Sequence, residues 1–253
     1  MNKIELKHDI INSEYTDYIY ETYDIQNREQ TVTEINYDLS KLEDENFNWN
    51  IGVIYGASGS GKTSILKDYG TLKDVNFDEN KPLIQNFDFI EPREACKLLS
   101  SMGLSSVPSW LRPYKTLSNG EQYRAKLAYL VANSNEGEII LVDEYTSVVD
   151  RNVAKSMSFA LQKYIRKYNK KIILACCHYD IMEWLTPDWT CSPQKGGALE
   201  IGEHRLGSRP KIELQVSRVE YGTWDLFKKH HYLTELNNKS YAHYLFTWNG
   251  VPV

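Results

Sequence analysis

Short apolar runs alternate with amphipathic stretches through the middle of the chain. Asn50-Ile51-Gly52-Val53-Ile54-Tyr55 has the pattern of a short buried strand running into a glycine-rich segment, and the helix that follows is predicted from Lys62 to Tyr69. Residues 70–117 read as an insert with a helix from Pro92 to Ser101 and a Pro/Trp-rich turn, Pro108 to Pro113. Beyond it the pattern predicts a helix from Glu121 to about Val131, a strand over 138–142, a long amphipathic helix from Arg151 to Tyr168, and a strand over 171–176. This alternation predicts an α/β fold, a mostly parallel sheet flanked by helices. Residues 1–48 are rich in Tyr, Thr and Ile, and the alternation over 31–37 predicts antiparallel strands ahead of that sheet.

The texture changes after Trp189. Gln194-Lys195-Gly196-Gly197 reads as a linker, and 211–216 as an alternating strand opening a second unit. The expected organisation is a large domain over 1–193, a linker over 194–210 and a small α+β appendage over 211–253. No internal repeat or low-complexity tract is present.

Composition narrows the class. The chain has 253 residues and is 42% hydrophobic, enough for a substantial core. No run of about 18 apolar residues occurs, so no membrane partner is expected. The N-terminus is polar with mixed charge, unlike a signal peptide. Net charge is −5, which speaks against a protein built mainly to coat nucleic acid. Residues 1–55 are acidic, whereas Arg205, Arg209, Lys211, Arg218, Lys228 and Lys229 make the C-terminal stretch mildly basic. The four cysteines, Cys96, Cys176, Cys177 and Cys191, show no Cys-x-x-Cys spacing and read as reduced thiols of a cytoplasmic protein.

Three segments carry chemistry. The first, Gly56 through Ser58, Gly59, Ser60 and Gly61 to Lys62, Thr63 and Ser64, fits Gly-x-x-x-x-Gly-Lys-Thr and follows a predicted strand. Glycines let backbone N–H groups wrap phosphates at a helix N-terminus. Lys62 is expected to reach the β- and γ-phosphates, and the Thr63 hydroxyl to complete Mg²⁺ coordination. The second is an apolar run ending in Asp143-Glu144. A strand end puts Asp143 near the metal, and Glu144 next to it is placed to polarise an attacking water. In the third, Ser118 with Glu121 three residues on is a capping box, so a helix begins there with anion-favouring N–H groups.

The order of these segments, with Thr146-Ser147-Val148-Val149-Asp150 and then His178 behind them, resembles an ABC-type ATPase nucleotide-binding domain over roughly residues 30–190. The resemblance implies a P-loop NTPase fold of ABC type, ATP and Mg²⁺ as ligands, and an ATP-dependent homodimer. Ser118 and Gly120 of one subunit would contact the γ-phosphate held by Lys62 of the other. Asp150 would lie in the loop crossing that interface, and His178 would sense the γ-phosphate. Gln85 is the candidate for the metal- and nucleotide-contacting glutamine at a strand end, and Tyr18, Tyr20 and Tyr23 compete as the adenine-stacking aromatic. Asn119 and Glu121 depart from the commonest signature, and the insert before Ser118 is short for a transporter subunit.

Further phrases narrow the resemblance: 109–113 (Ser-Trp-Leu-Arg-Pro), 143–151, Cys177-His178-Tyr179-Asp180, 184–189 and His230-His231-Tyr232-Leu233. With them the chain resembles stand-alone ABC-type ATPases fused to a GNAT-type acetyltransferase domain. The segment from 211 departs from that pattern. Only Val251-Pro252-Val253 follow the hairpin signal Asn249-Gly250, and no Gln/Arg-x-x-Gly-x-Gly/Ala pyrophosphate loop is present. A truncated C-terminal domain is therefore expected, acetyl-CoA is not expected to bind this chain alone, and His230 and His231 have no identified chemistry. The leading expectation is an ATPase whose closure regulates its C-terminal module or a partner. The alternatives are a nucleotide-gated nucleic-acid-binding module and a regulatory ATPase of an acetyltransferase.

Overall fold

The central sheet is ordered β4-β5-β3-β6-β7, with β3 (Ile51–Tyr55) between β5 (Lys171–Cys176) and β6 (Trp189–Cys191), β4 (Ile139–Val142) beyond β5, and β7 (Leu199–Ile201) beyond β6. The computed structural model describes residues 2–26, 29–135, 137–202, 214–227, 242–248 and 250–252. Strands β3, β4, β5 and β6 run parallel, in a register that aligns Val53 with Leu174 and Thr190, and Val142 with Leu174. Parallel strands end at one edge of a sheet, and that edge is where α/β folds bind ligands. The chain has the α/β P-loop fold expected from its sequence, with antiparallel strands ahead of the parallel sheet.

Every residue of β3 is buried, and its two faces enter different cores. Ile51, Val53 and Tyr55 pack among side chains of α3 (Pro92–Ser101), α5 (Asn119–Ala132) and α6 (Arg151–Lys167). Ile54 lies on the other face with Trp49, Trp189, and Ile65 and Leu66 of α2 (Lys62–Tyr69). Gly52 is a close-approach position, because a Cβ there would fall 2.1 Å from the Trp189 ring. The start of β3 is pinned by Asp188, which is 4% exposed. Its Oδ2 accepts the N–H groups of Asn50 and Ile51, both at 2.8 Å, and Arg166 Nη1 donates to Oδ1 at 3.0 Å and Oδ2 at 3.1 Å.

The antiparallel strands expected ahead of the sheet are present, and the alternation over 31–37 falls in the second of them. Strands β1 (Asn2–Asp9) and β2 (Gln30–Tyr37) pair antiparallel, and between them α1 (Glu14–Tyr23) begins at a Ser13 capping box and ends with Asp24 at φ 49°. No α1 residue is buried, so no burial periodicity marked this helix in the sequence. Within the expected linker, residues 193–195 form a 3-10 turn and β7 pairs antiparallel with β6 at the edge of the central sheet.

The chain divides into two compact units, Met1–Leu206 and Gly207–Val253. The described part of the second unit holds β8 (Gln215–Val219), β9 (His243–Trp248) and β10 (Val251–Pro252) in one antiparallel sheet. Val251 pairs with Trp248, which closes the expected hairpin through Gly250 at φ 79°. Asn249, the expected strand residues 211–213, His230 and His231 lie outside the described residues.

Candidate functional site

The glycine loop, Asp143-Glu144 and His178 all leave the carboxyl ends of adjacent parallel strands. Backbone bonds tie these exits together, Gly56 N–H to Cys176 O at 3.3 Å and Tyr145 N–H to Ala175 O at 2.8 Å. In the loop, Gly59 and Gly61 take φ of 76° and 94°, left-handed values that glycine adopts without strain, and Gly61 caps α2. Ser58 and Gly59 are exposed at the loop tip, Thr63 is exposed on the first turn of α2, and Ser64 is half-buried behind it. Lys62 Nζ donates to Gly56 O at 2.9 Å and Ala57 O at 2.7 Å, and Ser60 Oγ is buried with no hydrogen-bond partner. A glycine loop that runs into a helix N-terminus is the setting in which backbone N–H groups take up anions.

A cleft of about 260 Å³ adjoins this loop, lined by Leu6, Thr33 and Ile35 from β1 and β2 and by Gly59, Gly61 and the first turn of α2. A Cβ on Gly61 would meet Ile35 Cδ1 at 2.5 Å, so the glycine lets β2 close over the loop. The cleft wall is mixed, with Leu6 and Ile35 apolar and Thr33, Lys62, Thr63 and Ser64 polar. None of Tyr18, Tyr20 and Tyr23 lines it, and Tyr18 and Tyr23 are exposed on α1.

After β4, Asp143 is half-buried and Glu144 exposed, and Asp143 Oδ1 accepts the Glu144 N–H at 2.9 Å. Glu144 and Thr146 hold φ of 51° and 67°, uncommon for residues with side chains and costing on the order of 1–3 kcal/mol each. Buried Thr146 is fixed from several sides. Its N–H donates to the Tyr123 hydroxyl at 3.3 Å, Arg151 Nη1 donates to its Oγ1 at 3.3 Å, and His178 Nδ1 lies 3.2 Å from the same oxygen. The Thr146 hydroxyl thus sits between the Arg151 guanidinium, which donates to it, and the His178 ring. Cys176 Sγ donates to Tyr145 O at 2.9 Å and accepts the His178 N–H at 3.2 Å, while burial pushes its pKa up. The cysteines are free thiols, Cys176 buried and Cys177 exposed.

The signature segment forms the expected capping box at the start of α5. Glu121 Oε2 accepts the Ser118 N–H at 2.9 Å and the Ser118 hydroxyl at 2.8 Å, and Oε1 accepts the Ser109 hydroxyl at 2.8 Å. These donors, the Ser118 N–H first, lower the Glu121 pKa. Ser118 itself is exposed. A Cβ on Gly120 would stand 3.1 Å from Val148 O, so the glycine seats this helix end on the segment after Glu144. Asp150 caps α6, its Oδ1 accepting the N–H groups of Asn152 and Val153 at 3.0 Å each.

Gln85 departs from its expected setting. It is exposed within a 3-10 turn, Leu83–Phe87, and not at a strand end, because residues 71–78 form no strand beside β4. Sequence reasoning also missed Gln194. Its Oε1 accepts the Ala57 N–H of the glycine loop at 3.0 Å.

No family model and no curated protein matches this chain. Among solved structures it is similar to the ATP-binding cassette MJ0796 in a dimeric post-hydrolysis state bound to ADP and Pi. That match is 16% identical with a TM-score of 0.47, and covers 71% of this chain and 93% of that one. A second similar structure is cbiO1 from Clostridium perfringens, part of the ABC transporter complex cbiONQ, at 17% identity and a TM-score of 0.43. It covers 66% of this chain and 84% of that one. Among the described residues no helix is long and apolar enough to cross a membrane.

Proposed function

We propose that the chain is an ABC-type ATPase that binds ATP·Mg²⁺ at Gly56–Ser64 and hydrolyses it when two copies close face to face. The observation that carries this reading is the convergence of the glycine loop, Asp143-Glu144 and His178 at one edge of three adjacent parallel strands.

Lys62 leaves the carbonyls of Gly56 and Ala57 for the β- and γ-phosphates, while the loop N–H groups hold phosphate oxygens. Adenosine packs in the cleft beside Leu6, Thr33 and Ile35. Mg²⁺ bound with a nucleotide takes phosphate oxygens, water and one or two hard protein donors. Thr63 and Asp143 would hold it, and the ion would neutralise charge on the phosphates. Gln85 would join them only through rearrangement of its turn. Glu144 accepts a proton from the attacking water, and a ring N–H of His178 donates to the γ-phosphate. Ser118 and Gly120 complete the site of a second copy, where the N-terminus of α5 adds partial positive charge. The second unit, Gly207–Val253, is then the GNAT-like appendage or partner-docking module that closure regulates.

Phosphate release tests this reading. The wild type is expected to hydrolyse ATP in Mg²⁺, Lys62→Ala to lose ATP binding, and Glu144→Gln to bind ATP with turnover at least about a hundredfold lower. Equal turnover by wild type and Glu144→Gln contradicts it.

A further inference from the structure

The turn between β6 and β7 grips the phosphate loop through a side chain that belongs to none of the motifs above. Gln194 Oε1 accepts the Ala57 N–H at 3.0 Å, and Lys62 Nζ donates to Gly56 O at 2.9 Å. These two atoms are opposite ends of one peptide group, Gly56–Ala57. A Cβ on Gly56 would lie 2.8 Å from Ser60 Oγ and 3.2 Å from Gln194 Oε1, so the bare glycine makes room for both.

The turn is held in place by its own contacts. Lys195 Nζ bonds the hydroxyl of Tyr55, the last residue of β3, at 3.1 Å and stands 5.4 Å from its ring centroid. Gly197 O accepts from Asp38 N–H at 2.9 Å and from Cys191 Sγ at 3.2 Å, and a Cβ on Gly197 would fall 2.0 Å from Asn36 O. Gln194 therefore stands on a base anchored to β2, β3 and β6. Tyr55 also packs edge-on against Tyr179, the neighbour of His178, at 5.6 Å between centroids.

We propose that Gln194 is a positioning residue of the phosphate loop, whose amide oxygen keeps the Gly56–Ala57 peptide oriented when Lys62 leaves it for bound phosphate. This rests on the ATP-binding reading above. Without the Gln194 acceptor, departure of Lys62 frees that peptide to rotate, and phosphate binding must bear the cost of reordering it.

Two near-isosteres separate the hydrogen bond from bulk: Gln194→Met removes the acceptor and Gln194→Glu keeps it. Amide exchange at Ala57 is read by NMR on the ¹⁵N-labelled full chain without nucleotide, together with thermal melting, and ATP affinity by calorimetry. Expected are an unchanged melt, Ala57 exchange about tenfold faster in Gln194→Met but as in wild type in Gln194→Glu, and ATP affinity roughly five- to tenfold weaker in Gln194→Met, about the worth of one hydrogen bond. Wild-type exchange and affinity in Gln194→Met overturn the proposal. A wild type that binds no ATP overturns the ATP-binding reading, while an Ala57 exchange difference that survives still supports Gln194 as the residue that orders the loop.

Discussion

Arg151 and Asp180 join the segment that follows Glu144 to the segment that follows His178. Arg151 Nε donates to Asp180 Oδ2 at 3.0 Å and Nη2 to Oδ1, while its Nη1 reaches Thr146 and its guanidinium lies 5.1 Å over the Trp184 ring. The pair therefore fixes the Thr146–His178 contact from outside the glycine loop.

Asp180→Asn is expected to slow ATP turnover several-fold with little change in the KM for ATP, since it loosens His178 and leaves the glycine loop alone. Arg151 holds the Asp180 pKa below its ordinary 3.8. The pair thus contributes fully above that value and is lost only as pH falls through the lower folded one, so the turnover defect is the same at pH 6 and pH 8. Both partners are substantially exposed, so the melting temperature drops by no more than about 3 °C. Steady-state kinetics at the two pH values check this.

Glu121 accepts three donors at the head of α5, and its pKa lies below the ordinary 4.5. A lowered folded pKa stabilises above the unfolded value and ceases to do so as pH falls through the folded one. Glu121→Gln is expected to cost about 1 kcal/mol at pH 7, the scale of a helix cap. That difference shrinks as pH falls below 4.5. Urea unfolding at several pH values measures it.

Asp188 is a buried carboxylate on which Arg166 and the start of β3 both converge. Asp188→Asn leaves Arg166 half-buried without its counter-charge and is expected to cost about 3 kcal/mol, the scale for breaking a buried ion pair. Thermal melting is the readout, with a fall on the order of 10 °C at this chain size.

In the cleft beside the glycine loop, Leu6→Ala and Thr33→Ala are expected to raise the KM for ATP several-fold through lost contact with the base. Mutating Tyr18 or Tyr23 to Ala is expected to leave it unchanged. Competition by ADP and by inorganic triphosphate distinguishes base from phosphate contacts: the leucine variant weakens the first and spares the second.

The parallel sheet was legible because its strands are continuous apolar runs, and the helices Lys62–Tyr69 and Pro92–Ser101 have the bounds their sequence predicts. The capping box at Ser118 was legible because Ser-x-x-Glu satisfies helix-end donors locally. Contacts made by polar side chains from distant segments were not. Gln194 sits among glycines that read as a linker, and only the pairing of β6 with β7 brings it to Ala57. The cleft beside the glycine loop was not legible for a related reason, since its wall is built from alternate residues of β1 and β2. Gln85 lost its expected strand end because residues 71–78 form no strand.

If Ser118 and Gly120 complete the ATP site of a second copy, trapped ATP must hold two copies together. Light scattering on Glu144→Gln with ATP and Mg²⁺ measures this. Expected are a mass near twice the 29.4 kDa protomer with ATP, a single protomer with ADP, and loss of the ATP-bound dimer on Ser118→Arg. A Glu144→Gln protein that binds ATP and stays at one protomer's mass would contradict it.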